Sequence, residues 1–78
     1  MELTIDCRNG MSAIHTQLAE ALRFPAWYGS NLDALHDCLT ELSQDVTFTV
    51  LWPEFLPGLK RVLIDSAEDN PHLTLILT

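Results

Sequence analysis

Positive charge is scarce in this sequence. Four Lys and Arg stand against eleven Asp and Glu in 78 residues, for a net charge of −7. Phosphate contacts need Lys and Arg, so the balance argues against direct nucleic-acid binding and for a basic partner or simple solubility. Only Cys7 and Cys38 carry thiols, too few for a disulfide framework or a four-thiolate metal site. Both are expected to be reduced, buried small hydrophobes. No apolar run approaches the roughly 18 residues of a membrane span. No basic n-region or cleavage site follows Met1, so the expected compartment is the cytoplasm. There is no Gly-rich phosphate loop, HExxH, CxxC or nucleophile elbow, and the three histidines fall on separate predicted elements. An enzyme is not expected, nor a cofactor.

At 47% hydrophobic, the chain can form a compact core. Its length predicts one domain with a thin stability margin. Leu3, Ile5 and Cys7 alternate with Thr4, Asp6 and Arg8 as in a strand, and Asn9-Gly10 supplies a turn. Ser12 is the expected N-cap of a helix carrying Ile14, Leu18, Ala21 and Leu22, with His15 at the core edge or in solvent. That helix must stop by Phe24, because the residue before Pro25 is pushed out of the α region. Ser30 is the expected start of a second helix, with Asp33 three residues on, a spacing that resembles a capping box. After Asp45, VTFTVLW (Val46 to Trp52) reads as a buried strand. Leu59, Val62, Leu63 and Ala67 mark a third helix, and LTLIL (Leu73 to Leu77) a last strand. The order β-α-α-β-α-β predicts an α/β fold, a small three-stranded parallel sheet flanked by three helices that cover its faces.

The second helix has two faces. Leu32, Leu35, Cys38, Leu39 and Leu42 form an apolar stripe whose centre lies nearly opposite Asp37 and Glu41. Asp33, Asp37 and Glu41 repeat every four residues, and no Lys or Arg occurs between Arg23 and Lys60. Asp33 suits the positive end of the helix dipole. Asp37 lies four residues from a like charge on both sides, each spacing costing about 0.2–0.5 kcal/mol, and Glu41 is near the negative helix end. Helix stability does not account for these two, and a cationic partner would relieve them. The turn before the helix carries Trp27 and Tyr28; one ring is expected under the helix, the other exposed as an interface anchor. His36 and Asp33 offer an alternative reading as a metal-binding pair.

WYGSNLDALHDCL (Trp27 to Leu39) resembles the YYGxNLDALWDCL segment of the barstar family, intracellular inhibitors of a secreted bacterial ribonuclease. The likeness extends to the leading strand, to Pro25 before the aromatic pair, to VTFTVLW and to LTLILT. It implies that the second helix and its preceding turn block a ribonuclease active site, their acids occupying positions otherwise taken by RNA phosphates. Asp37 matches the central phosphate mimic and Asp33 the acid one turn earlier. Trp27 stands where the family has a Tyr that packs on the enzyme, Gly29 and Asn31 match turn contacts, and Thr40 a flanking contact. Asp65 aligns with an acid late in the last helix that also faces the enzyme. The chain departs from the family pattern at three places: His36 replaces Trp, Glu41 replaces Gly and Leu42 replaces a second Trp. The Pro53–Gly58 segment is also short, omitting a helix. A kept centre with a changed rim implies the same kind of partner with different specificity, a basic ribonuclease or a related basic toxin. The acidic face is expected to disfavour self-association, leaving the free protein a monomer.

Overall fold

The computed structural model describes residues Met1–Thr78 as β1 (Glu2–Asp6), α1 (Met11–Leu22), α2 (Leu32–Thr40), β2 (Val46–Leu51), α3 (Pro57–Asp69) and β3 (Leu73–Leu77). Single 3₁₀ turns at Cys7–Asn9 and Pro53–Phe55 follow β1 and β2. The three strands are parallel in the order β1-β2-β3, with Leu3 beside Phe48 and Phe48 beside Leu75. The predicted element order and parallel sheet are both present.

Both crossovers step the same way across the sheet, so right-handed connections put every helix on one face. Burial agrees. Ile5, Val46, Phe48, Val50 and Leu73 point into one core with Ile14, Leu18 and Leu22 of α1, Leu35 and Leu39 of α2, and Leu59 and Leu63 of α3. The helices therefore cover one face rather than two, contrary to the sequence expectation. The opposite face carries Thr4, Thr47, Thr49, Thr74 and Ile76, exposed or half-exposed. Threonine keeps the β-branched shape that suits a strand while leaving a hydroxyl for water. For the same reason VTFTVL is buried only at alternate residues.

Several boundaries differ from the sequence reading. Cys7, though buried, belongs to the 3₁₀ turn rather than β1. Gly10, not Ser12, starts α1; its φ of +87° and ψ of 160° favour a residue without Cβ. Trp52 leaves the sheet with a left-handed backbone and is 46% exposed, its ring edge-on to Phe55 and beneath the Arg8 guanidinium at 5.2 Å. Arg8 is held there by a two-pronged pair with Asp6. Pro57 occupies the first turn of α3, where its missing N–H leaves no extra vacancy. No helix is long and apolar enough to cross a membrane.

Candidate functional site

The turn before α2 is built from the inside out. Tyr28 N–H donates to the Pro25 carbonyl at 3.0 Å and closes the turn. The Tyr28 ring meets Phe24 edge-on at 4.8 Å, and its hydroxyl shares a hydrogen bond with His15 Nδ1 of α1. Trp27, the adjacent residue, is 59% exposed. One ring in and one out is the division the sequence predicted, and the structure assigns Tyr28 inward.

This contact explains why His15 is 5% exposed, against the expectation of a solvent or edge position. A buried imidazole needs a polar partner, and the phenol supplies it. Burial pushes the His15 pKa down and raises that of Tyr28 to about 12, with Cys38 a smaller contributor to the latter. Both groups are therefore neutral near pH 7. The depressed His15 pKa means that the unfolded chain binds the proton first as pH falls below about 6.5, so stability must fall from there towards the folded pKa. Urea unfolding at pH 7.5 and 5.5 should show the midpoint dropping with acidification, and dropping less in His15→Gln. Each unit of depression is worth about 1.4 kcal/mol. An equal drop in both proteins would refute the assignment.

The cap of α2 is Asn31, not Ser30. Its Oδ1 accepts from Ala34 N–H at 2.8 Å, while Ser30 takes a left-handed backbone. The side-chain amide of asparagine reaches this N–H from one residue nearer the helix, which leaves Asp33 at the second helical position rather than in a capping box. Gly29 has a packing reason beside any contact with a partner. A Cβ there would sit 3.0 Å from Asn31 Nδ2, so glycine leaves room for the cap.

The helix ends at Thr40, with Glu41 as C-cap. The Thr40 hydroxyl donates to the carbonyls of His36 (2.9 Å) and Asp37 (3.1 Å). Leu42 lies beyond the helix but still packs on the core. Asn70, from the end of α3, sends Nδ2 to the carbonyls of Leu39 and Leu42, both at 2.9 Å, and closes the C-terminal end of α2. This partnership joins residues some thirty positions apart, and no local pattern announces it.

Asp33, Asp37 and Glu41 are exposed, and none lies within ion-pair distance of a Lys, Arg or His. The buried residues of α2 are Leu35, Cys38 and Leu39, so the predicted division of faces holds. Burying Leu35 and Leu39 stabilises the docked helix by about 1.5–3 kcal/mol each. The acids can remain unpaired without undoing the helix. Burial raises the Cys38 pKa, with Glu41 and then Asp37 adding to the effect, so the thiol stays protonated and unreactive.

His36 is turned to α3, its Nε2 3.3 Å from Asp69 Oδ2. It does not pair with Asp33, and no group of three or more His, Cys, Asp or Glu is arranged to hold a metal ion. Asp65, one turn before Asp69, sits 3.7 Å from Arg61 Nε. α2 and α3 pack side by side, and the His36–Asp69 pair bridges them at the surface. The one sizeable pocket, about 380 Å³, lies elsewhere. It is lined by Leu51, Trp52, Glu54 and Thr78, at the open side of the sheet. The candidate site is a convex helix face, not a cavity.

A three-stranded parallel sheet with helices on one side, presenting an aromatic turn and a helix whose exposed acids Asp33, Asp37 and Glu41 are unpaired, defines a small α/β protein with an acidic helix face. The family model described as Barstar (barnase inhibitor) matches residues 1–72, and the chain belongs to the barstar family. Among curated proteins it is similar to "Putative ribonuclease inhibitor YrdF" of Bacillus subtilis, 46% identical over 41 residues. That match covers 50% of this chain and 45% of the relative, about half the length of each.

Proposed function

We propose that the chain inhibits a small basic ribonuclease by laying α2 and its preceding turn over the active site, with no catalysis of its own. The observation that carries this reading is the set of three exposed, unpaired carboxylates on one helix face, Asp33, Asp37 and Glu41. A ribonuclease must gather Arg, Lys and His around the RNA phosphates, and carboxylates at matching positions form charge-assisted bonds with the same groups. Asp37 takes the centre and Asp33 the adjoining position. Trp27 packs on the enzyme from the turn, while Gly29, Asn31 and Thr40 shape the contact and Asp65 extends it from α3. Tyr28 holds the turn through His15. Such an inhibitor acts where stray ribonuclease would destroy the cell's own RNA, in the cytoplasm, as a monomer until it meets its target.

The test is to titrate the protein into a panel of small microbial ribonucleases while following RNA cleavage. Inhibition should be stoichiometric at one to one. The association rate should fall as salt rises from 50 to 500 mM, because attraction between opposite charges steers the encounter. A panel with no inhibition refutes the ribonuclease reading. Tight binding to a basic protein without loss of RNA cleavage would favour a different basic toxin as target.

A further inference from the structure

We propose that His36 tunes the affinity of this face for guanidinium groups, acting as a resident counter-ion on Asp69 that an incoming guanidinium must displace. The inference rests on the reading of the α2 face as a surface for a basic partner. It starts from where the chain's own cationic groups go. Arg8 pairs with Asp6, Arg61 lies by Asp65, and His72 bonds Asp45 at 2.9 Å. Lys60, nine residues before Asp69, is on the opposite side of α3, and Arg23 stands at the C-cap of α1. His36 is thus the group with cationic capacity seated between α2 and α3. The two helices it joins carry Asp33 and Asp37 on α2, with Glu41 at its C-cap, and Asp65, Glu68 and Asp69 on α3; of these, Asp69 is the one in contact with His36.

The pair with Asp69 is built to open. Its two side chains are 36% and 62% exposed, and the 3.3 Å separation is long for a charge-assisted bond. Breaking it strands no buried group. Imidazole changes charge between pH 5 and 8, whereas ordinary carboxylates remain ionised over that range. In the neutral state His36 offers Asp69 at most a weak hydrogen bond, and a guanidinium can replace it readily. Once protonated, His36 holds Asp69 as an ion pair and competes with that guanidinium. The acidic face therefore has one contact, Asp69, whose availability depends on its neighbour.

A hexa-arginine peptide tests this without any ribonuclease. Its affinity is measured by calorimetry at pH 7.5, 6.5 and 5.5 and fixed low ionic strength, with chemical shifts of Asp37 and Asp69 reporting the location. Wild-type affinity should fall about threefold from pH 7.5 to 5.5, the scale of an exposed ion pair. In His36→Gln the change should vanish. In Asp69→Asn the peptide should bind more weakly at every pH, and adding His36→Gln should then change nothing. A pH slope in His36→Gln equal to wild type would overturn the inference. So would an undiminished effect of His36→Gln in the Asp69→Asn background, which would mean that His36 acts by its charge on the whole face. A peptide that leaves the α2 and α3 shifts unmoved would also overturn it. If the panel of ribonucleases goes uninhibited while the peptide shows the predicted pattern, the ribonuclease reading fails and this one stands.

Discussion

Asp37→Ala should raise the dissociation constant for the target ribonuclease at least a hundredfold, while Glu2→Ala changes it less than twofold. Glu2 is also exposed and acidic, but it lies at the start of β1, away from α2. Loss of net charge is the same in both variants, so the contrast isolates position. Removing one partner of a desolvated, hydrogen-bonded charge pair costs about 2–5 kcal/mol, because the other charge is left buried and unpaired. The barnase–barstar pair itself helped to set that scale, so it is carried over from the family. The fold should respond in the opposite direction. The substitution removes two like-charge spacings, to Asp33 and to Glu41, and introduces the best helix former. Urea unfolding should show Asp37→Ala as stable as wild type or more stable, by up to about 1 kcal/mol. Equal effects of the two substitutions on binding would place the interface on another face. A destabilised Asp37→Ala would give that carboxylate a role in folding that the structure does not show.

The same expected opposition of stability and binding is what makes Asp37 and Glu41 stand out in the sequence as the centre of the candidate site. Asp37 and Glu41 break a local rule, and the helical phase of Leu35, Cys38 and Leu39 shows which way they face. The three helices and three strands were legible for a related reason, since each buries one periodic stripe in the common core. Boundaries were less so. Ser30 and Asn31 are both good caps, and the choice rests on which side chain reaches Ala34 N–H once Gly29 has cleared the space. At α1 the backbone of Gly10 took the role expected of the Ser12 side chain. His15 was misplaced because a polar residue in an apolar stripe reads as an edge, and its partner Tyr28 lies thirteen residues on.

What the sequence concealed is mostly long-range. Period-two burial in Val46–Leu51 follows from all crossovers falling on one side, a property of strand order rather than of any segment. Nothing local to Asp69, the last residue of α3, points toward α2. Only the packing of α3 against α2 brings it to His36 and enlarges the acidic surface beyond a single helix. Residues that reach between elements carry no periodic signature. Asn70 is the strongest case.

Asn70→Ala should be among the most destabilising single substitutions in the chain, by about 3 kcal/mol. Asn70 is 3% exposed, and all its side-chain polar atoms are engaged. Oδ1 accepts from His72 N–H at 3.0 Å, fixing the lead into β3, while Nδ2 serves Leu39 and Leu42 at the end of α2. The Leu39 carbonyl keeps a longer bond from Leu42 N–H at 3.3 Å, but the Leu42 carbonyl and His72 N–H lose these partners. A buried polar group left unsatisfied costs about 1–3 kcal/mol, and these two, in part-buried bonds, fall at the low end of that range, about 1–1.5 kcal/mol each. A domain of this size has a total stability of only about 4–12 kcal/mol. The melting temperature should fall by about 12–24 °C, with the urea m-value unchanged if the native state stays compact. Asn70→Asp is the sharper control. It retains an oxygen for His72 N–H but replaces the amide donor with a carboxylate facing two carbonyls, so it should be at least as damaging at pH 7 and partly recover as pH falls and the acid protonates. Binding should follow through α2, whose C-terminal end would fray. Asn70→Ala should weaken the target complex several-fold at temperatures where it is still folded, through Glu41 and Thr40 rather than through any contact of its own. A loss below 1 kcal/mol would mean that water replaces Asn70 without penalty, and that α2 is held by its leucines alone.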